Sequence, residues 1–92
     1  MAGGGRDGNY RITLARSARK ELVALPAEIA DRALTCIERL AEKPRPAGTK
    51  KLAGAENLWR LRVGDYRVVY SIDDDKRLVD VIAVRHRSDA YR

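Results

Sequence analysis

Between Asn57 and Tyr70 the chain reads NLWRLRVGDYRVVY, and this alternation constrains the fold more than any other stretch. Trp59, Leu61 and Val63 alternate with Arg60 and Arg62. After Gly64-Asp65 the return segment sets Arg67 among Tyr66, Val68, Val69 and Tyr70. Successive side chains of a strand point to opposite faces, so this period of two predicts paired strands with one apolar and one basic face. Gly-Asp between β-branched and aromatic residues is a hairpin signal, weaker than Asp-Gly in that order. Thr or Ser would serve an outer face that only had to be wetted. Arg60, Arg62 and Arg67 on two adjacent strands point instead to an anion-binding surface.

Around this hairpin the remaining elements read in order. The glycine-rich MAGGGRDG of residues 1–8 has nothing to bury and is expected to be disordered. Asn9 to Leu14 alternates Tyr10, Ile12 and Leu14 with Arg11 and Thr13, a short strand. Ser17 is placed to cap a helix running to about Leu25. Pro26 then suits the first turn of a second helix, from about Ala27 to Glu42. Ile29, Ala33, Cys36, Ile37 and Leu40 recur there at helical spacing, with Cys36 read as a small apolar residue in the stripe. Lys43-Pro44-Arg45-Pro46 ends that helix, and residues 47–56 read as loop. The second hairpin strand extends to about Ile72. Asp73, Asp74 and Asp75 read as a solvated turn, because no Glu or His follows at a metal-ligand spacing. Leu78 to Val84 is a β-branched run expected to form a central strand buried on both faces, with Asp80 its exception.

The expected class is therefore α+β. The order is β-α-α-β-β-β, with two helices on one face of a small, mainly antiparallel sheet whose last three strands form a meander. The basic residues at 60, 62 and 67 fall on the face away from the helices. A chain of 92 residues allows one domain, taken as residues 9–92. A lone cysteine excludes an internal disulfide. Neither a membrane-length apolar run nor a signal-peptide h-region is present, so the cytoplasm is the expected compartment.

Charge then narrows the chemistry. The net charge is +6, and it is unevenly spread. From Lys43 to Arg67 seven basic residues (Lys43, Arg45, Lys50, Lys51, Arg60, Arg62 and Arg67) face two acids, Glu56 and Asp65. Such clustering is what phosphate binding requires. One His and one apolar-stripe Cys assemble no Ser-His-Asp or Cys-His set, and no phosphate-binding glycine loop is present. Guanidiniums grouped around a phosphodiester stabilise the charge that develops on it. If the substrate is RNA, its own 2′-hydroxyl serves as nucleophile, so cleavage needs no metal and no cofactor is expected.

The runs KKLAGAENLWRLRVGDYRVVYSIDDD and VIAVRHRSDAYR resemble the RelE branch of the RelE/ParE toxin superfamily, from bacterial type II toxin–antitoxin pairs. The resemblance spans about Tyr10 to Arg92. Its most specific parts are the Lys-Leu-x-Gly stretch followed by aromatic-basic-x-basic and Tyr-Arg, and the terminal Arg-x-Arg-Ser-acid-x-Tyr. It implies a ribosome-dependent endoribonuclease that cuts messenger RNA in the A site. Carried over by position, the family's catalytic set falls on Arg60, Arg62, Arg67, Arg85 and Tyr91. In the family the tyrosine activates the 2′-hydroxyl and the basic residues stabilise the phosphate and the leaving group. Several relatives have lysines where this chain has Arg60 and Arg62, and arginine is a poor proton donor. His86 is the candidate proton donor in their place, although it lies out of phase with Arg85 and Arg87 along a regular strand. Lys50, Lys51 and Arg87 are candidate RNA or ribosome contacts. The implied partners are an acidic RelB-like antitoxin, the ribosome and messenger RNA, with a toxin–antitoxin hetero-oligomer acting on operator DNA. The superfamily leaves two alternatives: a ParE-like toxin that inhibits DNA gyrase by binding, and an inactive toxin kept as a corepressor.

Overall fold

The hairpin forms as the alternation demands. In the computed structural model, which describes residues 9–52, 57–86 and 88, β3 (Leu58–Val63) and β4 (Tyr66–Asp73) pair antiparallel from Leu58 opposite Ser71 to Val63 opposite Tyr66. Gly64 has a φ of +60°, and Asp65 is not among the residues of positive φ. A positive φ at the first loop position alone is the type II′ pattern, so Gly-Asp is the order this turn needs.

Three further strands extend the sheet. β5 (Leu78–His86) pairs antiparallel with β4, completing the expected meander. β1 (Arg11–Leu14) lies on the far side of β5 and runs parallel to it, which makes the five-stranded sheet mixed, in the order β1-β5-β4-β3-β2. The edge strand β2 (Lys50–Lys51) sits in the stretch expected to be loop. Two lysines carry no period and no apolar residue; β3 recruits their backbone.

Two helices cover one face. α1 (Arg16–Val23) contributes Ala18 and Leu22, and α2 (Ala27–Arg39) contributes Ala33 and Ile37. They pack with Leu40 against Leu61, Val63, Val68, Tyr70, Ile72, Val79, Val81 and Val84. Each fully buried aliphatic or aromatic side chain contributes roughly 1.5–3 kcal/mol. Cys36 is partly buried at the margin of this core. Among the described residues no helix is long and apolar enough to cross a membrane.

The details depart from expectation at three places. Ser17 does not cap α1. The N-cap is Ala15, and the Ser17 hydroxyl donates to the Ile82 carbonyl at 2.9 Å. β1 stops pairing once the Ala15 N–H reaches the Val81 carbonyl (2.8 Å), and the open edge of β5 beyond that point is met by side chains of α1. Both helices end sooner than expected, at Val23 and Arg39, and Pro26 is the N-cap of α2 rather than a residue of its first turn. Finally, β5 is not buried on both faces. Val79 and Val81 are buried, but Leu78, Asp80 and Ile82 are only partly covered, because both helices lie on the other side of the sheet. Asp80 is at home on that open face, where it accepts the Thr13 hydroxyl at 2.7 Å. The expected disorder of residues 1–8 lies outside the described residues.

Candidate functional site

Strand register determines which basic residues meet. Residues directly opposite one another share a face. Arg62 of β3 opposes Arg67 of β4, and Arg67 opposes Arg85 of β5. The three arginines therefore form a row across three adjacent strands, on the face the helices leave open. A second row lies beside it: Lys50 opposes Arg60, Arg60 opposes Val69, and Val69 opposes Ala83. The surface is an apolar floor of Val69 and Ala83 bordered by guanidiniums. Arg62 and Arg85 are exposed, while Arg60 and Arg67 are half-buried. Like charges set directly opposite in a sheet are destabilising, so strand pairing by itself does not account for the row.

A β-bulge completes the row. Val69 opposes Ala83 and Tyr70 opposes Val81, which leaves Ile82 as the extra residue of β5. In a regular strand Arg85 would share a face with buried Val79 and Val81. The extra residue shifts the phase, so Val84 enters the core and Arg85 emerges beside Arg67.

Arg85 is also held from the side. Its Nε–H donates to Glu21 Oε2 at 3.1 Å, and the Val84 N–H donates to the same carboxylate at Oε1, 2.8 Å away. Neither Nη group of Arg85 bonds a described residue, so the end of the guanidinium remains available. Glu21 was not singled out from the sequence. Its spacing of four from Ser17 is the signal: both lie on one face of α1 and both bond the edge of β5. Arg60 and Arg62 form no hydrogen bond or ion pair among the described residues.

The other candidates are distributed differently. Lys50 belongs to the arginine face, whereas Lys51 opposes Trp59 and so lies on the helix side of the sheet. His86 opposes Tyr66, also on the helix side, and the two rings meet edge-on with centroids 5.2 Å apart. Its position opposite in face to Arg85 follows from adjacency in one strand. Arg87 and Tyr91 lie outside the described residues.

Arg45 has a separate fate. It pairs with Asp74 at 2.9 Å and lies over the Trp59 ring, 4.9 Å from its centroid. The Tyr10 hydroxyl donates to the same carboxylate at 2.6 Å. Hydrogen bonds from Arg45 and Tyr10 hold Asp74 below the usual carboxylate range, and the bond to Asp74 raises the Tyr10 phenol. Asp73 meanwhile accepts the Lys76 N–H, closing the acidic turn.

Comparison with known proteins bears on this arrangement. Residues 12–91 match the family described as the ParE toxin of the type II toxin–antitoxin system parDE. Toxin RelE of Mycobacterium tuberculosis is 36% identical over 90 residues, spanning 94% of this chain and 90% of the relative. Toxin RelG of the same organism is 32% identical, spanning 90% of this chain and 97% of that one. Among solved structures, the archaeal RelE–RelB complex from Pyrococcus horikoshii superposes with a TM-score of 0.77 at 30% identity, covering 86% of this chain and 96% of that chain. The isolated E. coli RelE toxin gives 0.74 at 28% identity, covering 89% and 90%. The chain belongs to the RelE branch of the RelE/ParE superfamily of type II toxin–antitoxin toxins.

Proposed function

We propose that this toxin is a ribosome-dependent endoribonuclease that cuts messenger RNA in the A site. The row Arg62–Arg67–Arg85 carries the reading. In the proposed reaction the 2′-oxygen forms a bond to the adjacent phosphorus and the bond from phosphorus to the 5′-oxygen breaks. The products are a 2′,3′-cyclic phosphate and a 5′-hydroxyl, the proton lost from the 2′-hydroxyl through Tyr91 being balanced by one that solvent water gives the departing 5′-oxygen. Negative charge grows on the phosphoryl oxygens on the way, and guanidiniums already fixed in a sheet stabilise it without reorganising. Arg67, flanked on both sides, is placed to meet that charge; Arg62, Arg85 and Arg60 hold the neighbouring phosphates. Tyr91 takes the role of activating the 2′-hydroxyl. Arg60 and Arg62, as guanidiniums, supply charge rather than protons. The position of His86 across the sheet does not favour it as donor to a leaving group on the arginine face.

The partner we propose is an acidic RelB-like antitoxin, whose carboxylates complement the net charge of +6 and whose bound segment denies phosphates the arginine face. The compartment is then the cytoplasm, where ribosomes and antitoxin are met. The family description naming ParE toxins supports a second reading, a toxin that binds DNA gyrase and cuts no RNA. A row of directly opposed arginines is more than such binding requires.

Translation of a defined message in a purified system, with cuts mapped by primer extension, decides between them. Cuts inside A-site codons by the wild type, weakened in Tyr91→Phe, are the expected result. An intact message with translation unaffected would reject the ribonuclease reading, and gyrase supercoiling would become the assay.

A further inference from the structure

The arginine row ends at a cavity of about 500 Å³ bounded by the end of β5 and the last turn of α1. Arg85, at its rim, is the last guanidinium of the row. Tyr66 and His86 line it from the other face of the sheet, and Leu25, Val84 and Glu21 complete its wall. We propose that this cavity receives the nucleobase of the nucleotide flanking the phosphate held by Arg85. The inference rests on the reading of the arginine row as an RNA site.

Four observations support it. The first is reach. Arg85 and His86 are consecutive in β5, about 3.4 Å apart along the strand, with side chains on opposite faces. A nucleotide with its phosphate on Arg85 therefore turns its base around the end of the sheet into the cavity. The second is shape. Tyr66 and His86 meet at 90°, forming an aromatic corner that offers a planar base one ring face and one ring edge. Single-stranded bases are held in this way, stacked on aromatic side chains. The third is hydrogen bonding. Ser88 meets His86 Nδ1 twice, through its N–H at 3.2 Å and its hydroxyl at 2.9 Å, which leaves His86 Nε2 with no described partner and open to the edge of a base. The Tyr66 hydroxyl bonds no described residue, so it too is available to the edge of a base. The last is size. The volume falls within the roughly 300–1,000 Å³ of small-molecule sites.

The test is a titration of the full-length toxin, freed of its antitoxin, with each 5′-nucleoside monophosphate and with ribose 5-phosphate. Side-chain resonances of His86 and Tyr66 report the cavity. We expect at least one nucleotide to bind about 10-fold more tightly than ribose 5-phosphate, the scale of one base stacked on an aromatic ring. The bound base should shift both aromatic rings. Tyr66→Phe should keep most of the advantage, and Tyr66→Leu should bring the ratio near one while ribose 5-phosphate still binds. Equal affinity of the wild type for nucleotides and ribose 5-phosphate would overturn the inference without any variant. So would His86 shifts produced by an acidic peptide but by no nucleotide, which would give the cavity to a protein partner. If wild-type toxin cuts messages yet shows no base advantage, this inference alone fails. A base advantage in a toxin that cuts nothing would retain the cavity site and discard the ribonuclease.

Discussion

Two groups of arginines in this small domain have opposite fates. Arg45 is locked: Asp74 takes its charge, the Trp59 ring takes its flat face, and Tyr10 bonds the same carboxylate. Arg60 and Arg62 have no acid among the described residues, and Arg62 faces Arg67 directly. The locked corner ties the segment after α2 to the turn between β4 and β5. On the open face Arg85 bonds another element, through Glu21 of α1. Where a guanidinium meets a carboxylate and an aromatic ring, its charge is consumed in folding. Guanidiniums opposed across neighbouring strands concentrate positive charge on one open face, where a ligand can meet it, at some cost to the fold. Net charge alone does not distinguish these cases; register does.

The sharpest way to break the contrast is at the centre of the row. Arg67→Ala should lower the rate of message cleavage by about 10²–10³, or roughly 2.7–4 kcal/mol, the scale of losing one preorganised donor to a developing charge. The variant should nevertheless fold, because Arg67 lies outside the core packed between helices and sheet. Cleavage at saturating ribosomes, beside a urea unfolding curve, measures both. Full wild-type cleavage by Arg67→Ala would remove Arg67 from the chemistry.

Glu21 is the next largest, because it reaches the open group through Arg85. Glu21→Ala should destabilise the domain by roughly 1–3 kcal/mol, since the half-buried Val84 N–H and the Arg85 Nε lose their acceptor together. Arg85→Ala removes only the exposed half of that arrangement and should cost the fold less. If urea midpoints show the reverse order, the carboxylate is not what secures the end of β5.

The contrast also shows which features were legible in the sequence. The hairpin and its two faces were, because Trp59 to Val63 keeps a strict period of two and the glycine at position 64 marks the turn. The joining of Arg62 and Arg67 follows from that pairing. Arg85 is different: LVDVIAVRH is almost uniformly apolar up to Val84, so nothing in it marks Ile82 as an extra residue. Its place came from family resemblance, and the bulge is the physical means by which Arg85 reaches the row. β2 went unread because two residues show no period, and Glu21 because one carboxylate on a basic helix resembles surface charge. Both depend on partners eight or more residues away in sequence. Ser17 misled for a related reason. A hydroxyl near a helix start reads as a cap, but here the exposed edge of β5 offered a carbonyl instead.

A smaller effect probes the locked corner from beneath. Tyr70 is fully buried, and its hydroxyl donates to the Pro44 carbonyl at 2.8 Å, fastening the segment that carries Arg45. Tyr70→Phe should cost about 1 kcal/mol, the usual net worth of such a bond, and should leave cleavage unchanged. Burial raises the Tyr70 phenol above its ordinary 10.0. A group whose folded pKa is raised contributes stability that is complete below the unfolded value and lost as pH rises through the folded one. Wild type should therefore lose stability above pH 10, and Tyr70→Phe should lose less of it.

The smallest effect belongs to Arg45 itself, which makes it the control for the whole contrast. Its pair with Asp74 is exposed, and exposed ion pairs contribute little; the contact with Trp59 adds about 0.5 kcal/mol. Arg45→Ala should leave cleavage within about two-fold of wild type, against the 10²–10³ loss for an arginine of the row. Its effect on stability should also follow acid. The folded pKa of Asp74 lies below its ordinary 3.8, through hydrogen bonds from Arg45 and Tyr10. A depressed pKa contributes stability that is present above the unfolded value and lost as pH falls through the folded one. The difference between wild type and Arg45→Ala should hold at neutral pH and shrink as the pH drops below 3.8. If Arg45→Ala instead abolishes cleavage while its unfolding curve matches wild type, Arg45 belongs with the open group, and pairing in the free toxin is no guide to which arginines meet RNA.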